Sequence, residues 1–392
     1  MVSYRWLMLA VLFATLMISS GSQSAYGVLL PILEAEFKVS RVVSSAVMLL
    51  YLIAVGFWNV LAGWFTDKFS PQSAIKLGYL TLIIGFTAWS FSNNIFHLYL
   101  IHGIMISFGT SFLGLTVLSS LVSKHFIGRS GLAFGSVSIG FSLGQLTTPP
   151  ILATLVSSLE WRSALICWSL IIGVIGLLTL LSLGAKQIKA GRYESGVEVR
   201  KQTFRTTKFR RTIYVSSIPY FVCGFTDFLI VTHLVVYATS LNISLTQAAL
   251  LLSLIGVFNI PALALLGFFA DRFGAAVSLT LTYAIRLASF IILLNATRLP
   301  TLYLFAATFG LTYYTTAPLT AKLVFAGYES TRASTVYGLL VLLHMVGGAI
   351  GALFGGIIYD AYSSYQPAFL FSTLLLAAAV LLSFYAQKLS SL

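Results

Sequence analysis

Long apolar stretches follow one another along the whole chain, parted by short polar turns. A helix needs roughly 20 residues to cross the hydrocarbon core of a bilayer. Twelve stretches approach that length, at about 6–33, 41–66, 74–92, 97–121, 131–156, 162–183, 212–240, 246–270, 277–294, 300–325, 333–358 and 366–387. Membrane β-barrels are written instead as short segments of alternating polarity, a pattern this sequence lacks. Span 1 opens like a signal peptide, with Arg5 ahead of an apolar run. Its pattern continues through Tyr26 to Leu33 and has a counterpart in the second half, so it is read as a retained helix.

Composition agrees with this pattern. Of 392 residues, 58% are hydrophobic and only 8% charged, too few charges to coat a water-soluble domain. The basic residues fall unevenly. With the N-terminus inside, the inner side collects Arg5, Lys68, Lys76, Lys124, Arg129, nine residues between Lys186 and Arg211, Arg272, Lys322, Arg332 and Lys388. The outer side holds only Lys38, Arg41, Arg162 and Arg298. Positive residues favour the cytoplasmic side, so both termini are expected there, in a cell-membrane protein. The net charge of +13 then reflects topology and contact with anionic lipid heads, not nucleic-acid binding. Cys167 and Cys223 fall inside spans and form no disulfide framework.

The chain is also written twice. GWFTDKF from Gly63 returns as GFFADRF from Gly267, an offset of 204 that pairs Asp67 with Asp271 and Lys68 with Arg272. Arg129, Gly135 and Gly144 match Arg332, Gly338 and Gly347 at 203. The expected organisation is a six-helix unit over 1–185, a basic cytoplasmic linker over 186–211 and a second six-helix unit over 212–392. Gly63 and Gly267 suit tight turns or close helix contact. Asp67 and Asp271 suit bonds to a neighbouring helix N-terminus, or pairs with Arg129 or Arg332. Together these eight residues form an expected cytoplasmic gate between two states. Glycines four apart on span 5 (Gly140, Gly144) and span 11 (Gly347, Gly351, Gly355) let helices approach and slide.

GWFTDKFSPQS and GFFADRFG resemble the loop motif of the major facilitator superfamily. The resemblance implies an all-α membrane protein of twelve transmembrane helices in two pseudo-symmetric six-helix bundles. SAYGVLLPIL in span 1, KHFIGRSGLAFGSVSIGFSLGQLTTPPI in span 5 and YGLLVLLHMVGGAIGALFGGIIYD in span 11 resemble the monocarboxylate and oxalate–formate branch. That implies secondary transport of small carboxylates, proton-coupled or by exchange. The chain departs from the branch in two places. The acidic-Gly-aromatic signature before span 1 is replaced by MVSYRWLML. Span 8, QAALLLSLIGVFNIPALALLGFFAD, lacks the arginine that holds the carboxylate, so no substrate-binding arginine is carried over.

Charges within spans need a reason, because each costs at least about 2.5–3.5 kcal/mol near the midplane on insertion scales. Asp227 lies in span 7 and its repeat mate is Gln23 in span 1; helices 1 and 7 line the central cavity in the superfamily. Burial favours the protonated form of a carboxyl, which makes Asp227 the candidate proton carrier. Ser19, Ser22, Gln23 and Tyr26 share one face of span 1, and Tyr220, Cys223 and Asp227 one face of span 7. Arg286 in span 9 is placed to pair with Asp227, to bond carbonyls or to snorkel. His344 in span 11 titrates near neutrality when unperturbed; His233, six residues past Asp227, points elsewhere, and His102 lies near the outer end of span 4. Gln145 and Asn259 serve as interhelical bonds or cargo contacts. Tyr313, Tyr314 and Thr316 precede Pro318, an expected hinge. The cargo candidates are thus Gln23, Tyr26, Gln145, Asn259, Arg286, Tyr313, Tyr314 and His344.

No zinc-protease motif, phosphate loop, nucleophile elbow or paired-cysteine cluster occurs. No catalytic residue, cofactor or metal is therefore expected. The partners are a small-molecule substrate, protons and membrane lipids, around a monomer. The leading expectation is a carrier of a small organic acid that rocks between two states. A carrier of neutral or cationic solutes and a non-transporting sensor are the alternatives.

Overall fold

The computed structural model describes residues 2–125, 130–184, 207–327 and 330–391, without the side chains at 2–5, 67, 119, 123–125, 130–136, 184, 207–210, 325–327, 330–335 and 390–391. The first helices are α1 (Val2–Phe37), α2 (Arg41–Lys68) and α3 (Pro71–Ser90). Span 4 is broken into α4 (Ile95–Leu98), a π-helical stretch over Tyr99–Ile106, α5 (Ser107–Phe112) and α6 (Leu115–His125). Then come α7 (Ser130–Ser158), α8 (Trp161–Gly184), α9 (Thr207–Ser240), α10 (Leu245–Phe273) and α11 (Ala275–Leu294). Span 10 divides into α12 (Leu299–Gly310) and α13 (Thr316–Gly327), followed by α14 (Ser330–Tyr362) and α15 (Gln366–Ser391). Among the described residues, ten helices are long and apolar enough to cross a membrane; α3 and the α12–α13 pair fall outside that set.

Local chemistry explains several boundaries. Ser70 Oγ accepts the Ser73 N–H ahead of α3, with Pro71 at the first helical position, where its missing donor matters least. Ser244 Oγ caps α10 in the same way. α10 ends at Gly274, whose φ of 92° is strained for any residue with a Cβ. The span-10 break falls over 311–315, just ahead of the Pro318 expected to bend it. A proline ring clashes with the carbonyl four residues back, here that of Tyr314, so the break lies on that side.

The duplication is visible in how helices touch. A Cβ at Gly144 of α7 would run into the Met17 carbonyl of α1, and one at Gly347 of α14 into the Phe221 carbonyl of α9. Gly144 and Gly347 are repeat mates, and so are Met17 and Phe221. Gly27 of α1 likewise meets the carbonyl of its own mate, Val231 of α9. α2 packs on α14 and α7 on α10, which are again equivalent pairs. α9 is the most enclosed candidate span, with 94% of its most apolar stretch buried against 33% for α15.

Gly63 and Gly267 correct an expectation. Both lie inside helices, not turns. A Cβ would meet nothing within 4 Å at Gly267 and only a Thr116 methyl at 3.5 Å at Gly63. The chain reverses a few residues later, at Phe69–Ser70 and Gly274, so neither glycine supplies a turn or a close contact. Gly267→Ala is therefore expected to leave stability unchanged or raise it by up to about 1 kcal/mol, by removing unfolded-chain freedom. Gly347→Ala forces two backbones apart and should destabilise by about 1–3 kcal/mol. Thermal unfolding of the two variants in detergent separates them.

Candidate transport site

The centre of the site is an ion pair buried inside the span array. Arg286 of α11 has no exposed surface and Asp227 of α9 is 4% exposed. Arg286 Nη1 lies 2.9 Å from Asp227 Oδ1. The contact is close but poorly aligned, and Oδ1 accepts no hydrogen bond of good geometry. Oδ2 faces a different pair of groups, Cys223 Sγ at 3.4 Å and His344 Nε2 at 3.4 Å. The spacing from Cys223 to Asp227 is one helical turn, so α9 presents both to α14 and α11 on one face.

Arg286 is held by backbone carbonyls and side-chain acceptors in equal number. Nη2 donates to the Thr312 carbonyl at 2.6 Å and the Tyr313 carbonyl at 3.2 Å. Nε donates to Thr312 Oγ1 at 3.1 Å. Nη1 reaches Cys223 Sγ at 2.9 Å, with the Cys223 carbonyl and Thr226 Oγ1 each at 3.3 Å. Thr312 and Tyr313 lie in the break after α12. Their carbonyls lie just past the C-terminus of α12, beside the negative end of its dipole. The α12 terminus thus stabilises the guanidinium as it would a bound cation, and the Phe309 ring lies 5.2 Å from its centre. One edge of Arg286, Nε and Nη2, is anchored on the break; the other, Nη1, is shared with Asp227.

The donor atoms of Cys223, Asp227 and His344 lie within 4.8 Å of one another. Arg286 Nη1 already lies 2.9 Å from two of these residues, at Cys223 Sγ and Asp227 Oδ1. His344 is the more open member, 13% exposed at its side chain against 6% for Asp227, and the Tyr220 ring packs on it at 4.7 Å.

The other predicted residues divide by what their polar atoms do. Gln145 is buried, and its Nε2 has no partner among the described residues. Gln23 is half-buried. Tyr26 is fully buried, with its hydroxyl on the Ser44 carbonyl and its ring stacked on His102, so it packs one half together and does not face a cavity. Asn259 is fully bonded: Oδ1 accepts from Ser142 Oγ at 2.9 Å and Nδ2 donates to the Gly310 carbonyl at 3.2 Å. Tyr313 contributes its carbonyl to Arg286, while Tyr314 stacks on Phe141 of α7 at 4.4 Å. His233 is closed off between the Tyr365 hydroxyl and the Ala352 carbonyl.

At the expected gate, Arg129 and the side chains of Asp67 and Arg332 lie outside the described residues. Asp271 pairs with Lys322 of α13, a residue that sequence reasoning used only for topology. Lys68 and Arg272 are exposed, Lys68 lying 4.8 Å from the Trp64 ring and Arg272 5.5 Å from Phe273.

Sequence reasoning missed the opposite end altogether. Asp360 of α14 accepts the first two N–H groups of α2, Arg41 at 3.0 Å and Val42 at 2.8 Å. These are donors with no partner inside their own helix. The Arg41 side chain binds both oxygens of Glu34 of α1 and lies 3.7 Å over the Tyr359 ring. It also donates to the Tyr365 hydroxyl at 3.3 Å. The only sequence signal was an acid, Asp360, closing span 11 as Asp271 closes span 8.

Residues 12–218 and 216–390 each match the family model of the Major Facilitator Superfamily. The uncharacterized MFS-type transporter YcxA of Bacillus subtilis (strain 168) is 26% identical over 348 residues, 86% of this chain and 84% of its own. Monocarboxylate transporter 13 of Bos taurus is 23% identical over 93% of this chain and 85% of its own. The oxalate:formate antiporter of Oxalobacter formigenes is 22% identical over 69% of this chain and 64% of its own. Among solved structures, the peptide transporter POT in complex with alafosfalin overlays with a TM-score of 0.77, covering 98% of this chain and 94% of its own at 16% identity. A bacterial homolog of the lysosomal transporter Spinster, inward-facing and unoccupied, gives 0.75, at 14% identity over 98% of this chain and 97% of its own.

Proposed function

Because this chain belongs to the Major Facilitator Superfamily and is a secondary transporter, we propose that it carries a small monocarboxylate together with a proton, by alternating access. The observation that carries this reading is the Asp227–Arg286 pair, with Arg286 anchored independently on the α12 break. As a unit the pair is neutral. When Asp227 takes a proton, the guanidinium keeps its charge, because the Thr312 and Tyr313 carbonyls still stabilise it. Its Nη1 edge then lacks a counter-ion in a dry site. A carboxylate is the ligand whose geometry fits a guanidinium edge. Proton and anion therefore enter together and charge stays balanced. His344 and Gln145 are the proposed cargo contacts: the first is the open side of the acid, the second an unpartnered buried donor.

Superfamily membership and the repeated packing support two six-helix units over 1–185 and 212–392, joined by a cytoplasmic linker over 186–211 and rocking about the midplane. In that arrangement Asp271–Lys322 borders the cytoplasmic gate, and the Glu34–Arg41–Asp360 network is the closed gate at the opposite face. The functional unit is a monomer in the plasma membrane, with both termini cytoplasmic.

Uptake of radiolabelled lactate or formate into proteoliposomes tests the reading. Uptake should rise when the outside is made acid relative to the lumen, and lactate should acidify the lumen as it enters. Uptake of neutral or cationic solutes with neither acid carried would refute it.

A further inference from the structure

We infer that Asn259 is a positioning residue that ties the contact between α7 and α10 to the carbonyl cradle of Arg286. Its amide uses both ends. Oδ1 accepts from Ser142 of α7, and Nδ2 donates to the Gly310 carbonyl, the last residue of α12. The break that begins at the next residue presents Thr312 and Tyr313 to Arg286. A continuous chain of bonds therefore runs Ser142, Asn259, Gly310, the break, Arg286 and Asp227.

Two further contacts reinforce it. Tyr314, inside the break, stacks on Phe141, the neighbour of Ser142. A Cβ at Gly310 would strike the Ile255 carbonyl, so α12 lies directly on the α10 backbone. Asn259 is fully buried, and an amide end left unsatisfied in such a place bears its full desolvation penalty. α7 belongs to the first repeat, and α10 and the break to the second. When the halves rock, α7 slides past α10, and the Ser142 bond and the Phe141–Tyr314 stack carry that motion to the cradle. Asn259 thus touches neither the cargo nor the proton but acts through Arg286.

The inference deepens the carboxylate reading and rests on Arg286 as the charge that meets the anion. It can nevertheless be tested without cargo, because Cys223 reports on the cradle. Its Sγ is fully buried, 2.9 Å from Arg286 Nη1 and 3.1 Å from Thr316 Oγ1. A thiol so enclosed reacts only when its surroundings open. In a Cys167→Ser background Cys223 is the sole thiol, and its alkylation by N-ethylmaleimide is followed by mass spectrometry.

Asn259→Ala should react at least severalfold faster than the parent. Asn259→Leu is of similar size, makes neither bond, and should match Asn259→Ala. Ser142→Ala cuts only the α7 limb and should fall between. Ser253→Ala, on the same helix at an unbonded hydroxyl, should react like the parent. Equal or slower reaction of both Asn259→Leu and Ser142→Ala overturns the inference, whether or not Asn259→Ala folds. The pH dependence of lactate uptake should also shift in Asn259→Leu. If the parent carries no carboxylate, the transport reading fails while the thiol rates still decide this one.

Discussion

Arg286→Ala is expected to abolish acid-driven carboxylate uptake while also destabilising the fold. Removing one partner of a buried ion pair leaves the other charged and unpaired, which costs about 3–5 kcal/mol. Read as transition-state or cargo stabilisation, the same loss corresponds to about a hundred- to several-thousandfold. Asp227→Asn should behave differently. It keeps a polar group near Nη1 and leaves the guanidinium on its carbonyls, so stability falls less. The proton site is gone, however, and uptake should lose its response to a pH gradient. The double variant Asp227→Leu with Arg286→Leu separates stability from function. A buried pair replaced by apolar groups of similar volume is often neutral or stabilising by about 1–4 kcal/mol. The double variant leaves no unpaired charge but takes the donor from the Thr312 and Tyr313 carbonyls, so it should unfold between Arg286→Ala and the parent and carry nothing. If it transports, the pair is packing and the proposed mechanism is wrong. The measurements are lactate uptake at two pH gradients and thermal unfolding in the same detergent.

The second large effect is expected at the opposite end. Asp360→Ala removes a carboxylate from the first two amides of α2, and with it the bond that joins α2 to α14 there. Charge and hydrogen bonding at a helix N-terminus together contribute about 1–2 kcal/mol. A change of that size moves a two-state equilibrium about five- to thirtyfold, towards the state open on the Glu34 face. Ser45 offers a readout, since it is fully buried and lies against Gly356 of α14. In a Cys167→Ser, Cys223→Ser background, Ser45→Cys should be labelled severalfold faster by a membrane-impermeant maleimide when Asp360→Ala is present. Arg41→Ala should act in the same direction through loss of the Glu34 and Tyr359 contacts. Unchanged labelling in both would mean that this network is not a gate.

Sequence period and composition were enough for the broad architecture. Each span must bury or expose about twenty residues in hydrocarbon, so its length is written in hydropathy alone. A duplicated gene leaves its offset in the residue numbers, and the packing of Gly144 on Met17 and Gly347 on Phe221 obeys that offset. Asp227 stood out for the same reason: an acid inside an apolar span is costly wherever the helix sits. Its partner was less legible. Arg286 is distant in the chain, and pairing with Asp227 was one of three roles open to it.

What the tertiary structure alone decided is which charges meet and which backbone is free to meet them. The carbonyl cradle has no sequence signature, because it is made by main-chain atoms that every residue has; only the break at 311–315 exposes them. Lys322 and Arg41 looked like topology, since a basic residue in a loop obeys the lipid charge rule whatever it touches. Asn259 looked like a cargo contact until both ends of its amide were found engaged. Pattern along a chain records the solvent each segment must face, whereas a site is made where segments distant in sequence turn particular atoms toward one another, and that is settled only when the helices pack.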